Sequence, residues 1–377
     1  MSPQASFPKA RPRTRAAVAG RSRRASKAVA MAGVLAIMAS LGGMLPVRAA
    51  APLSAVAAVP EPASLPVPVQ APQRLPLWPG VAPGSEGLQL QRREVERSID
   101  PALPDRYADH IGQPSLTVYR PANPDGRAVL VVPGGGYQRV VLDKEGTALL
   151  PDFVEQGGLT LFVLEYRLPG EGHRDGREVP LADAQRAMRL IRQRAPEWGV
   201  DPERIGVMGF SAGGHVAASL ATRHGQRSYA PVDAADAQDA RPDFALLVYP
   251  VIDMGTHAHP GSRQRLLGDA PAADAIEAYS LQNRVDAHTP PVFLLHALDD
   301  EVVPVENSLL LEAALRQAGI EHETHLYAHG GHGFGVRQAE GTLALWPRLA
   351  LAWIRAQTPD PGADASSRTA VADPARN

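Results

Sequence analysis

The 377-residue chain contains no cysteine. Disulfides and thiolate catalysis are therefore excluded, and the redox compartment leaves no trace in cysteine usage. The glycine run Gly134-Gly135-Gly136 is followed by no Lys-Ser/Thr pair and has no G-x-G-x-x-G spacing, which argues against a nucleotide cradle. No internal repeat is evident. Acidic residues are missing from positions 1–27, which carry Lys9, Arg11, Arg13, Arg15, Arg21, Arg23, Arg24 and Lys27. An apolar stretch follows from Ala28 to Leu45, closing on Val47-Arg48-Ala49-Ala50. A basic region, a short apolar region and a small-residue exit together predict a cleavable signal peptide over residues 1–49, and hence a periplasmic or secreted protein. Beyond it remain 29 Lys+Arg against 40 Asp+Glu. That acidic balance argues against nucleic acid as a partner, and no membrane association is expected once the signal is removed.

What is present has ordinary globular proportions, 44% hydrophobic and 21% charged. A Pro/Ala-rich stretch, residues 50–84, reads as an extended linker, and the Asp/Ala/Pro/Ser-rich residues 358–377 read as a disordered tail. Between them, residues 85–357 alternate strand-like and helix-like runs. Leu88–Val95 and Leu116–Tyr119 alternate apolar and polar residues, as an antiparallel starting pair would. Ala128–Val132 and Leu159–Tyr166 are continuous apolar runs, the pattern of strands buried on both faces. Helical spacing appears in Ala148–Val154, Leu181–Trp198, Leu309–Leu315 and Leu343–Ile354, with further strands at Phe244–Val251, Val292–Leu298 and Thr324–Tyr327. The rhythm predicts an α/β fold: a mostly parallel central sheet, helices on both faces, and ligands at the carboxyl ends of the strands. Met254–Pro291 departs from the rhythm and is a candidate lid or side wall.

One run carries chemistry. Gly209-Phe210-Ser211-Ala212-Gly213-Gly214 follows a strand-like segment and precedes small helix-compatible residues, the context of a nucleophile elbow. A serine hydroxyl needs a base to take its proton, and the base needs an orienting acid. His332, within Gly330-Gly331-His332-Gly333, is the expected base, with His329 as competitor. Asp299, which directly follows its strand, is preferred over Asp300 as the acid. The chain order Ser211, Asp299, His332 is that of an α/β-hydrolase. The turn Pro133-Gly134-Gly135-Gly136-Tyr137 is the expected oxyanion hole, with Gly135 and Gly136 on one side and the Ala212 N–H on the other.

At these residues the sequence resembles bacterial secreted α/β-hydrolases of the carbohydrate-esterase type. These are acetylxylan-esterase-like proteins often labelled xylanase, related to esterase/lipase and prolyl-oligopeptidase-like serine hydrolases. The matching blocks are residues 133–137, 165–168, 183–187, 209–215, 296–308 and 330–335. The resemblance implies a serine esterase that removes small acyl groups, commonly acetyl, from sugar hydroxyls, with the catalytic roles on Ser211, Asp299 and His332. Pro133 stands where the lipase-like relatives have histidine, so their long-chain or bulky ester substrates do not carry over.

Other residues receive structural readings. His215 and His296 are expected to pack or hydrogen-bond, and Glu165 with Arg167 to form an ion pair. Asp183 matches its helix dipole, and Tyr137 and Tyr166 are candidate pocket aromatics able to stack on a sugar. His257, His259 and Asp253 are too unpatterned for a metal site, so neither metal nor organic cofactor is expected. The expected partner is a small acylated substrate; oligomeric state is not legible. The rival activities are a prolyl-oligopeptidase-like serine peptidase and a glycoside hydrolase, the latter lacking a clear carboxylate pair.

Overall fold

The structure, a computed structural model, describes residues 71–360. The expected signal peptide, most of the expected linker and residues 361–377 lie outside the described residues. Eight strands form the main sheet in the order β1-β4-β7-β5-β8-β9-β10-β11. They are β1 (Gln73–Pro76), β4 (Ser115–Tyr119), β5 (Ala128–Val132), β7 (Thr160–Glu165), β8 (Ile205–Phe210), β9 (Ala245–Val248), β10 (Val292–Ala297) and β11 (His322–Tyr327). From β7 to β11 every pairing is parallel; β1 and β4 add an antiparallel edge. A separate three-stranded sheet joins β2 (Arg93–Glu96), β3 (Arg106–Asp109) and β6 (Val140–Val141). This is the mostly parallel, helix-covered sheet of an α/β-hydrolase.

The two faces of the sheet follow the period of two along each strand. Ala128, Leu130 and Val132 of β5 point into one core with Met188 and Ile191 of helix α1 (Val179–Arg194), Val216 and Leu220 of α2 (Ser211–Arg223), and Leu311 and Leu315. Val129 and Val131 point into the other, with Phe153 and the tryptophans 346 and 353. Three further helices, α3 (Pro260–Leu267), α4 (Ala273–Tyr279) and α5 (Glu306–Ala318), precede the closing α6 (Trp346–Gln357).

Three sequence expectations change. β4 pairs antiparallel with Gln73–Pro76 and with β7, not with residues 88–95, whose strand is only Arg93–Glu96 and pairs with β3. The expected linker therefore ends early: Leu77, Trp78 and Ala82 are buried, and the Trp78 indole N–H donates to Asp183 at 2.9 Å. Proline-rich sequence hides this because strand edges tolerate proline. The tail also starts late. Thr358 is buried, and its carbonyl accepts from Arg204 at 2.8 Å.

Because the chain turns outward from β5 to β7 on one side and β8 on the other, the sheet has its switch point beside β5. The carboxyl ends of β5, β8, β9, β10 and β11 then stand side by side. They deliver, in that order, the turn at Gly134, Ser211, Tyr249, Asp300 and the loop of His332.

Candidate active site

Ser211 opens α2 directly from β8, with φ +52° in the left-handed region. Such a conformation costs about 1–3 kcal/mol and persists only where surroundings enforce it. Here Gly213 enforces it: an added Cβ would stand 2.2 Å from the Val132 carbonyl oxygen, so only glycine lets the elbow close on β5. The Ser211 hydroxyl lies 2.8 Å from His332 Nε2. His332 Nδ1 lies 2.7 Å from Asp300 Oδ2. A hydroxyl, an imidazole and a carboxylate are thus aligned as nucleophile, base and orienting acid.

The carboxylate in line with His332 is Asp300, not the expected Asp299. β10 ends at Ala297, one residue earlier than the apolar run, and the turn that follows carries Asp300 inward and Asp299 outward. Asp300 is fully buried as a side chain and uses both oxygens: Oδ1 accepts the N–H groups of Val302 and Val303, and Oδ2 faces His332 and His296. Burial pushes its pKa up, but the bonds to His296 and His332 outweigh it, holding the carboxylate well below the usual range. Asp299 is exposed and accepts the Gly331 N–H at 2.8 Å, anchoring the histidine loop; His329, also exposed, lies against it at 3.2 Å rather than near Ser211. His296 has more than a packing role. Its Nε2 meets Asp300 Oδ2 at 3.2 Å and the Val303 carbonyl at 3.0 Å, both acceptors, so Nε2 carries the proton and Nδ1 accepts from Ser308.

The glycine turn lies where expected. Gly135 has φ +131° and Gly136 φ +65°, and both line the cleft with Ser211. Among the described residues their N–H groups meet no acceptor. Ala212 lies in the first turn of α2, where helical N–H groups lack internal partners. Behind the turn is a residue the sequence reading did not single out. The buried Glu145 accepts the Gly134 N–H at 2.7 Å and the Tyr249 hydroxyl at 3.0 Å, and Tyr249 in turn accepts the Gly335 N–H at 3.2 Å. One carboxyl thereby ties the glycine turn to the histidine loop. Burial pushes its pKa up. The signal for Tyr249 was its place at a strand's carboxyl end; Glu145, in a loop, had none.

Tyr137 and Tyr166 do not line the cleft. Both are buried behind it, Tyr166 donating to the Pro133 carbonyl at 3.0 Å and Tyr137 lying 2.7 Å from His215 Nδ1. His215 Nε2 donates to the Tyr279 carbonyl, so Nδ1 must accept the Tyr137 hydroxyl proton. Glu165 and Arg167 do not pair either. They stand two residues apart where β7 ends at Glu165 and find different partners: Glu165 binds Arg74 and Arg92, while the fully buried Arg167 binds Asp183. Asp183 is thus an ion-pair partner before it is a dipole match.

The cleft itself measures about 540 Å³. Met254–Pro291 forms one wall through His259, Gly261, Gln264 and Arg265; Arg97, Asp105 and Lys144 belong to the other. His257 donates its backbone N–H to Asp253, and His259 Nδ1 accepts the Ser262 N–H at 3.2 Å. Its Nε2 therefore bears the proton, with no acceptor among the described residues.

Residues 116–315 match the BD-FAE family model. Over 229 residues the chain is 37% identical to an acetylxylan esterase of Xylanibacter ruminicola, which is 59% of this chain and 44% of that protein. It is also 37% identical over 212 residues to endo-1,4-beta-xylanase B of Butyrivibrio fibrisolvens, 56% of this chain and 33% of that protein. The chain thus spans less than half the length of these two curated relatives. A solved acetyl ester-xyloside bifunctional hydrolase from Caldicellulosiruptor lactoaceticus is 34% identical, with a TM-score of 0.62 covering 75% of this chain and 96% of that one. With over half of its residues inside the family model and that structure matched almost end to end, the chain belongs to the BD-FAE family.

Proposed function

We propose that the protein is a serine esterase that hydrolyses short acyl esters, acetyl foremost, on carbohydrates such as xylan or xylooligosaccharides. The observation that carries this is the Ser211–His332–Asp300 relay opening beside two acceptor-less glycine N–H groups. The similarity to proteins named acetylxylan esterase and acetyl ester-xyloside hydrolase supports the substrate class.

In this reading Ser211 Oγ attacks the ester carbonyl while His332 Nε2 takes its proton. The N–H groups of Gly135, Gly136 and Ala212 receive the oxyanion, and such donors contribute about 3–4 kcal/mol each in comparable sites. The intermediate collapses, and His332 returns the proton to the departing sugar oxygen. Water then attacks the acyl-enzyme, again giving its proton to His332, and the acid leaves as Ser211 is restored. Asp300 stays ionised throughout and stabilises the imidazolium.

The xylan-cleaving activity named for the longer relative does not transfer by geometry. Glycoside hydrolysis needs two carboxyls flanking the bond. The cleft carboxyls, Asp105 and Glu145, are already engaged, by Arg97 and by Gly134 with Tyr249. We also propose export across the inner membrane, supported by the basic-apolar start of the sequence; N-terminal sequencing of the protein recovered from the periplasm or medium tests it.

The deciding experiment is acetate release from acetylated xylooligosaccharides, with Ser211→Ala alongside. We expect loss of turnover by about 10³–10⁶-fold with the fold retained. Undiminished turnover in the variant would overturn the mechanism.

A further inference from the structure

The charges around the cleft do not follow the balance of the chain. Beyond residue 49 acidic residues outnumber basic ones, 40 to 29, yet the cleft is lined by Arg97, Arg139, Lys144 and Arg265. Its two carboxyls do not answer them all. Asp105 is taken by Arg97, whose Nη2 donates to Oδ1 at 2.6 Å. Glu145 is buried with both oxygens bonded to other groups, and burial favours its neutral form.

The remaining three cations lack an acidic partner among the described residues. Arg139 is held over the Tyr107 ring, 5.2 Å from its centroid, and its Nε is buried without a hydrogen-bond partner. Lys144 Nζ has only the neutral Gln338 Oε1, at 2.7 Å. Arg265 is exposed on the opposite wall, in the last turn of α3. Elsewhere, several guanidiniums of similar or greater burial are matched, as Arg92 is by Glu165, Arg186 by Asp233 and Arg223 by Glu178; Arg120, which does not line the cleft, shares with Arg139 a buried Nε without a partner. Arg139 is half-buried with a guanidinium that no acid among the described residues answers, and one that already rests on an aromatic face is preorganised for a planar anion.

We propose that the cleft recognises a carboxylate on its substrate, with Arg139 as the principal contact and Lys144 and Arg265 completing a positive rim. The proposal rests on the esterase reading and names the substrate class: an acyl ester that also carries a carboxylate. Arg139 belongs to the glycine turn itself, its N–H donating to the Gly135 carbonyl at 3.3 Å. The carboxylate therefore lies close to the reacting carbonyl, either on the sugar side, as in an acetylated oligosaccharide bearing a uronic acid, or on the acyl side, as in a dicarboxylic half-ester.

The test measures kcat/KM of the full chain on two matched pairs. The first is an acetylated xylooligosaccharide with and without a glucuronic acid substituent; the second is p-nitrophenyl hemisuccinate against p-nitrophenyl butyrate. At low salt we expect about a tenfold preference for the acidic member of at least one pair, shrinking as salt screens the rim, and the pair that shows it identifies the side carrying the carboxylate. Arg139→Gln is expected to lower that acidic-to-neutral ratio by about fivefold or more, while Arg139→Lys, which keeps the charge, retains most of it. Lys144→Met provides a second reading should the Arg139 variants melt early. Equal rates within each pair, alongside ready hydrolysis of the neutral esters, would overturn the proposal and leave the esterase reading intact. If no ester is hydrolysed, that reading fails, and calorimetry with the deacetylated acidic and neutral oligosaccharides decides the anion site. Tighter binding of the acidic one by about tenfold supports it, and equal affinity overturns it.

Discussion

On the floor of the cleft, Ser211, His332 and Asp300 form a chain whose polar atoms find partners inside the protein, whereas on its walls Arg139, Arg265 and the Nε2 of His259 present donors that find none among the described residues. The difference follows from what builds each part. The floor is made of the carboxyl ends of five adjacent strands, so its geometry comes with the sheet and its groups can be locked by neighbours such as His296 and Glu145. The walls come from the small β2-β3-β6 sheet with its loops and from the α3 segment, which lie outside that scaffold. Chemistry is set where the fold is rigid; recognition is left where donors await a ligand.

The strongest way to break this comparison is on the floor, where neighbouring residues have opposite surroundings. Asp300→Asn leaves His332 free to take the wrong tautomer, and we expect kcat to fall by about 10²–10⁴-fold, by analogy with other triads. Asp299→Asn keeps an acceptor for the Gly331 N–H and removes only an exposed charge that faces His329, and we expect less than about a threefold change. Steady-state kinetics of both variants would settle the matter; comparable losses would return the acid role to Asp299 or divide it.

Much of the floor was legible in the sequence because it depends on local rules. Ser211 follows an apolar strand and sits among glycines, and His332 sits in a glycine loop after the last strand; both signals are contiguous. The Asp299/Asp300 choice was not legible, since it turns on a strand ending at Ala297 rather than Leu298 and on the direction of the next turn. Tyr137 and Tyr166 were misplaced for a related reason: sequence shows an aromatic beside the site but not on which side of the backbone it packs. The strand Gln73–Pro76 was hidden by proline-rich composition, and the Glu145–Tyr249 tie joins residues 104 positions apart. The walls were the least legible part, because unpaired charge is a property of space and not of spacing.

Glu145 tests whether the floor's two halves must be tied. Glu145→Ala would leave the Gly134 N–H and the Tyr249 hydroxyl without their buried acceptor, each at a cost of about 1–3 kcal/mol. Loosening the glycine turn against the histidine loop should also lower kcat by about tenfold or more, since small misplacements are expensive in catalysis. Glu145→Gln keeps an acceptor and should recover most of both losses. Denaturant titration beside kcat measurements checks this; a kcat unmoved by the alanine variant would reduce Glu145 to a stabilising role.

A smaller effect concerns the layer behind the turn. Burial lowers the pKa of His215 to about 4, and does the same to His173, which lies apart from that layer against Ser85. Both values lie below the unfolded value near 6.5, so this stability is present above about pH 6.5 and is lost as pH falls toward 4. Between pH 7 and pH 5 each histidine should cost about 2 kcal/mol of folding stability. His215→Asn should flatten the slope of stability against pH by about one histidine's share, read by urea titration at the two pH values. An unchanged slope would mean that His215 titrates as it does in the unfolded chain.

The smallest expected effect lies on the wall and sharpens the comparison most. Burial, and then repulsion from His332 whenever that ring is protonated, lower the pKa of His259 and favour its neutral ring. The Ser262 N–H occupies Nδ1, so Nε2 can only donate. A neutral donor at the mouth of the cleft suits a sugar hydroxyl, and one such bond is worth about 0.5–1.5 kcal/mol. His259→Ala should therefore raise KM for an acetylated xylooligosaccharide by about two- to tenfold, and more than it raises KM for p-nitrophenyl acetate, which has no hydroxyl to bind. Equal losses on both esters, carried in kcat, would place His259 with the floor, where a residue affects every substrate alike because it acts on the step they share.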